Sequence, residues 1–392
     1  MNTLNKRLFG GKEGLLGTLF LAIILVVVLP LTLDIFRLNL IGKYLTYAFV
    51  AVGLVLLWGN AGVLSLGQGV FFGLGGYCMA MFLKLEASDP ITTKIQSTPG
   101  IPDFMDWNQL TALPAFWVPF KSFPFATLAI LVVPAVIAYI VGAAMFKRRV
   151  GGVYFAVITQ AIALIVSLGI DGNQGLTGGR NGITDLKTLL GWDIRTKSGQ
   201  YTLYFLSVAL LFGVIMLSRW VLSSKMGRIL NAMSEKEDRV RFSGYDVSNF
   251  KIFIFALAAA ISGIGGAMFV LQVGFISPSL VGIVPSIEMV IFAAVGGKRS
   301  LLGAVYGTLL VNTGKSLFSE TFPQLWLYAM GGLFIVVVML MPNGLAGVWS
   351  DYVKPWFAGA RKRLMQPPPV DKTVPAPSTA TTPSASASPK TT

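Results

Sequence analysis

Long, nearly uncharged apolar runs recur between residues 15 and 349, and nothing else constrains this chain as strongly. A helix needs about 20 apolar residues to cross the hydrocarbon of a bilayer. The runs have that length, with 12% charged residues over 392 positions where a soluble domain carries about 25%. The mean hydropathy is +0.71. The chain therefore reads as an all-α, polytopic integral membrane protein. The expected spans cover 15–37, 40–58, 66–84, 124–146, 150–170, 201–222, 252–273, 285–297, 300–317 and 326–349, about ten in all.

The ends and the charges orient this set. The start, MNTLNKRLFGGKEG, is basic and enters an apolar run without an A-x-A cleavage pattern. It reads as a cytoplasmic segment, 1–14, before an uncleaved first helix. Ten spans return the C-terminus to the same side, and most of the 31 Lys and Arg residues then share that side, as the positive-inside rule requires. This accounts for the net charge of +14 without nucleic acid. Residues 351–392 are rich in Pro, Ser, Thr and Ala. They bury too little apolar surface to offset ordering and read as a disordered cytoplasmic tail. The transmembrane domain is thus 15–350.

Composition also excludes chemistry. The chain has no His and one Cys, Cys78, so histidine acid–base catalysis, histidine metal ligands, a disulfide framework and a CxxC metal site are ruled out. Cys78, in an apolar glycine-rich stretch, reads as a small buried hydrophobe. No catalytic, metal or cofactor site is expected. Gly314-Lys315-Ser316 matches the end of a phosphate loop, but Leu309 stands where the first glycine belongs. The loop DGNQGLTGGRNGI, 171–183, also has phosphate-cradle composition. It lacks the following Lys-Ser or Lys-Thr and falls on the outer side, at the end of the fifth span. Its glycines suit positive-φ turns, and Thr177, Gly178, Gly179, Arg180 and Asn181 are the candidate residues of an outer entrance. The long outer loop 85–123 carries Trp107, Trp117 and Phe120, which suit the membrane interface.

Polar groups inside spans are costly and point to function. The candidates for a solute path are Asn60, Ser65, Gln68, Thr159, Gln160, Ser286 and Glu288, with Glu288 the clear acid within a span. Glycines crowd the stretch Gly53–Gly76, which favours close helix approach and broken helices. On the inner side, residues 223–251 form the largest polar insertion. Ile229, Leu230 and Met233 make one apolar helix face there, Glu235 and Arg239 are spaced to pair, and Gly244 ends the helix.

The stretch GRILNAMSEKEDRVRFSGYDVSNFKIFIFALAAAISGIGGAMF, 227–269, resembles the coupling loop and following helix of ABC-importer permeases of the branched-chain amino acid and urea family. Asp238 to Gly244 keeps the family's acidic-to-glycine spacing, with Arg239 and Val240 in place of alanines. GNAGVLSLGQGVFFGLGGY at 59–77, LTGGRNGI at 176–183, SIEMVIFAAVGGKRSLLGAVYG at 286–307 and PNGLAG at 342–347 resemble further family blocks in order. Gln68 stands where the family commonly has His. Residues 309–347 and 69–84, with the 173–191 loop, look most like the urea permease subunit.

The resemblance implies a permease subunit of an ATP-driven importer in the bacterial inner membrane, carrying urea or a short-chain amide. Branched-chain amino acids are the alternative solute, and a proton-coupled secondary carrier is a more distant one. It implies a second related permease subunit, two ATPase subunits that hydrolyse the ATP, and a periplasmic or lipid-anchored binding protein. The chain itself is then no enzyme. Contact with the ATPase falls to Glu235, Glu237, Asp238, Arg239 and Gly244.

Overall fold

The computed structural model describes residues 12–348 apart from 92, 95, 323 and 342. Seven helices among the described residues are long and apolar enough to cross a membrane: α1 (Gly14–Thr32), α2 (Ile35–Asn60), α3 (Gln68–Ala87), α4 (Phe123–Phe146), α5 (Gly152–Gly172), α6 (Lys197–Ser223) and, after two short helices, α9 (Val247–Val273). The short ones are α7 (Lys225–Glu235) and α8 (Glu237–Phe242). Then follow α10 (Ile283–Gly296), α11 (Leu301–Thr321), α12 (Trp326–Leu340) and α13 (Gly344–Val348). The chain is a multi-pass membrane protein.

The expected count of ten spans changes at the C-terminal end. The expected spans 285–297 and 300–317 are two arms of a pair bent by 119°. At 1.5 Å per residue, the 14 residues of α10 extend about 21 Å, short of the roughly 30 Å hydrocarbon core. With the pair counted as one broken span, up to eight spans qualify among the described residues. The last expected span, 326–349, contains a helix of 15 residues ending at Leu340. Most of the N-terminal segment 1–14, and the whole tail 351–392, lie outside the described residues.

Burial sorts the helices. In α2, α3 and α9 about four-fifths of each span is buried within the protein, against 17% for α1 and 22% for α5. A central trio therefore carries the packing, and α9 lies against α2, α3 and α4. Their close approach depends on missing side chains. A Cβ at Gly75 would overlap the backbone of Gly263, and one at Gly266 would overlap the Phe72 carbonyl, the small-residue packing of membrane helices. Tyr47, Phe72, Phe269 and Phe292, from α2, α3, α9 and α10, form an aromatic cluster with Tyr47 centroids 5.4–5.9 Å from the others.

Backbone breaks are mended locally, as hydrocarbon demands. The last turn of α2, Val55–Asn60, is π-helical, and the Asn60 side-chain amide donates to the Val55 carbonyl at 2.8 Å. Pro134 lies inside α4, which continues through it, and a Cβ at Gly263 of α9 would overlap the Ile130 carbonyl one turn earlier. At the face opposite α7 and α8, a two-stranded hairpin, β1 (Thr188–Leu189) and β2 (Trp192–Asp193), closes over α3. Its turn residues Leu190 and Gly191 both have positive φ. Their N–H groups donate to the Glu86 carboxylate at 3.0 and 2.5 Å.

Candidate functional site

Three polar assemblies sit on this frame. The first surrounds the start of α3. Residues 62–67 leave α2 without helical bonding, so their polar groups need partners. The Leu66 N–H donates to Thr159 Oγ1 at 3.1 Å, and the Gly67 N–H approaches Ser65 Oγ at 3.4 Å. The Gly69 N–H donates to Ser286 Oγ at 3.1 Å, which in turn donates to the Gly282 carbonyl. Gln68 Oε1 accepts from Ser262. Ser65, Gln68 and Ser286 are fully buried, and Gln68 Nε2 has no hydrogen-bond partner among the described residues. Ser286 thereby fastens the first turn of half-helix α10 to the start of α3. Gln160 is half-buried on α5, and Asn60 lies apart, occupied with its own helix.

The second assembly is ionic. Both Glu288 oxygens accept from Lys315 Nζ at 2.8 Å, joining α10 to α11 across the bend. Lys315 is the lysine of the phosphate-loop mimic. Gly314, Lys315 and Ser316 lie within α11, where a helix offers no cradle of free N–H groups. Lys315 lines a cavity of about 290 Å³ between α2 and α11, together with Lys43, Tyr44, Tyr47, Asn312 and Glu320. Tyr44 and Ser316 share a hydrogen bond across it. None of the expected path residues is among its lining residues; Glu288 is linked to it through Lys315. The sequence presented Lys315 only as part of the phosphate-loop mimic and did not single out Lys43. Their signal was present as ammonium groups inside apolar runs.

The third assembly is the loop 171–183. Gly178, Gly179 and Gly182 have φ of 81°, 57° and 70°. A Cβ at Gly182 would overlap the Ile276 carbonyl, and Ile183 and Ile276 exchange backbone hydrogen bonds at 2.9 and 3.0 Å. The loop thus clamps the segment that leads into α10. Thr177 Oγ1 donates within its own turn, while Arg180 and Asn181 are exposed.

The opposite face carries α7 and α8. Ser224 accepts from the Met226 N–H and caps α7. Leu230 and Met233 are buried and Ile229 packs beside Met233, Val240 and Val247, the apolar face read from the sequence. The expected Glu235–Arg239 pair is absent among the described residues, because Lys236 has extended backbone and separates two helices. The i,i+4 pair is Glu237–Arg241, at 2.8 Å. Glu237 also holds Lys251 of α9 at 2.6 Å, which ties α8 to a central helix. Glu235, Asp238, Arg239 and Gly244 are exposed. Gly244 has φ 85°, and a Cβ there would meet nothing within 4 Å.

Comparison with known proteins matches residues 36–340 to the family described as branched-chain amino acid transport system / permease component. The chain belongs to this permease family. It is 24% identical over 330 residues to the high-affinity branched-chain amino acid transport system permease protein LivM of Salmonella typhimurium, covering 79% of this chain and 69% of that one. Its identity to LivM of Escherichia coli is 25% over 345 residues, 82% and 72% of the two chains. With the permease protein BraD of Pseudomonas aeruginosa the identity is 21% over 313 residues, 77% and 92%. Comparison with solved structures gives no significant match. These relatives are permease subunits, and transport rather than catalysis is the work of such a chain.

Proposed function

We propose that the chain is the membrane-spanning permease of an ATP-driven importer in the bacterial inner membrane, and that its solute is a branched-chain amino acid. The family match over 36–340 carries this reading, because the relatives named above are described as transporting branched-chain amino acids. They favour that solute over the urea or short-chain amide expected from the sequence blocks. Those blocks, 309–347 above all, keep urea as the second reading.

The architecture is consistent with the role. Half-helix α10 starts beside buried polar groups and carries a paired charge, a recurrent arrangement where transporters bind solutes. The exposed acids and arginines of α7 and α8, together with Gly244, offer a cytosolic ATPase a rigid contact held to α9 by Glu237 and Lys251. A second related permease, two ATPase subunits and a soluble binding protein complete the proposed assembly. Labelled leucine and urea uptake, measured in a deletion strain with and without this chain, tests it. Leucine uptake restored by the chain is the expected outcome; restoration of urea uptake alone would transfer the assignment to the second reading.

A further inference from the structure

We propose that the cavity between α2 and α11 is a carboxylate-binding subsite, with Lys43 as the receptor for the anionic end of the solute. This deepens the amino acid reading above and rests on it.

The argument begins with the charges. Glu288 commits both oxygens to Lys315, so that pair is close to neutral. The Lys43 ammonium has no hydrogen bond or ion pair among the described residues. It lies over the Phe269 ring, 5.9 Å from the centroid, and it feels opposed fields from Lys315 and Glu288. One positive charge is therefore left over, half-buried on a helix that spans the membrane. Hydrocarbon does not tolerate such a group, so this face must meet water or a partner's polar surface.

The cavity supplies the rest of the complementarity. Its volume of about 290 Å³ lies at the small end of solute sites, roughly 300–1,000 Å³. Lys43 and the exposed carboxylate of Glu320 both line it, without pairing with each other. One cationic and one anionic group suit a zwitterion, its carboxylate on Lys43 and its ammonium towards Glu320. Tyr47 and Leu40 leave apolar wall for an aliphatic side chain. Urea, uncharged, would leave Lys43 uncompensated.

The test uses the assembled importer in phosphatidylcholine vesicles, with Ser319→Cys in the cavity wall as reporter; the native Cys78 is buried. Labelling by the anionic sulfonatoethyl methanethiosulfonate is compared with labelling by its cationic trimethylammonium counterpart. Parallel vesicles contain phosphatidylglycerol, to separate an amino acid carboxylate from a lipid headgroup. The expected result is an anion preference that falls about tenfold in Lys43→Met and survives in Lys43→Arg, with labelling slowed by leucine and not by urea. In cells, Lys43→Met is expected to lower leucine uptake about tenfold at unchanged membrane level.

An unchanged charge preference in Lys43→Met would overturn the proposal. So would protection by phosphatidylglycerol but not by leucine. A wild-type importer that carries urea and not leucine contradicts the proposed solute instead, and the charge preference still decides whether Lys43 forms an anion site.

Discussion

Glu288→Gln removes one partner of the ion pair that joins the two arms of the bent helix pair. The nitrogen–oxygen separation is 2.8 Å, with side-chain exposures of 17% for Glu288 and 33% for Lys315. Breaking a fully buried pair costs about 3–5 kcal/mol, whereas an exposed pair is worth roughly 0–1 kcal/mol. Intermediate exposure places the loss at about 2 kcal/mol. The change also leaves Lys315 and Lys43 lining one cavity without the neutralising carboxylate. The double variant Glu288→Gln/Lys315→Met removes the stranded charge, so it is expected to recover about 1 kcal/mol of that loss. The assay is the thermal unfolding midpoint of the purified protein in detergent, expected to drop by a few degrees in the single variant. Solute uptake, normalised to the amount of protein in the membrane, is measured beside it and is expected to fall more than membrane insertion does. An unchanged midpoint with normal uptake, or two single losses that simply add in the double variant, would refute the reasoning.

Gly244→Trp adds a side chain at φ 85° into space that the chain leaves open; the local strain is about 1–2 kcal/mol. ATP-coupled transport is expected to fall while folding survives, measured as uptake beside the unfolding midpoint. Lys251→Met leaves Glu237 with Arg241 alone and is expected to weaken co-purification of the ATPase subunits, read from the subunit ratio of the detergent-solubilised complex. Gly266→Leu sets a side chain against the Phe72 carbonyl and should cost several kcal/mol or abolish insertion, read from membrane abundance. Asp185 accepts from Lys187 at 2.7 Å and from Arg195 at 3.0 Å, which hold its carboxyl below the usual aspartate range. A depressed value stabilises the folded loop fully above about pH 4 and loses that contribution as the pH falls further. Hydrogen exchange across 186–195 is expected to accelerate, beyond its intrinsic pH dependence, only on the acid side of pH 4, and Asp185→Asn should remove that step.

Much of this molecule is legible in its composition. Apolar runs of span length locate the seven long helices, because hydrocarbon leaves a backbone little choice but the helix. Ile229, Leu230 and Met233 disclose the buried face of α7, since polar surroundings give helical periodicity its contrast. The glycines of 171–183 announce positive-φ turns that the loop indeed makes. Within membrane helices the contrast fades. A segment that is apolar on every side does not say which face meets which neighbour, and two adjacent apolar runs read alike whether they cross separately or fold back. Only the tertiary structure, through the 119° bend, sets Glu288 beside Lys315, 27 residues further along the chain. It also divides 225–242 at Lys236, which moves the pairing from Glu235–Arg239 to Glu237–Arg241. The sequence by itself determined that the chain spans a membrane and where its polar faces lie along it. The packing decided which charges meet, because an ion pair depends on separation in space, which no linear spacing encodes across a break in the helix.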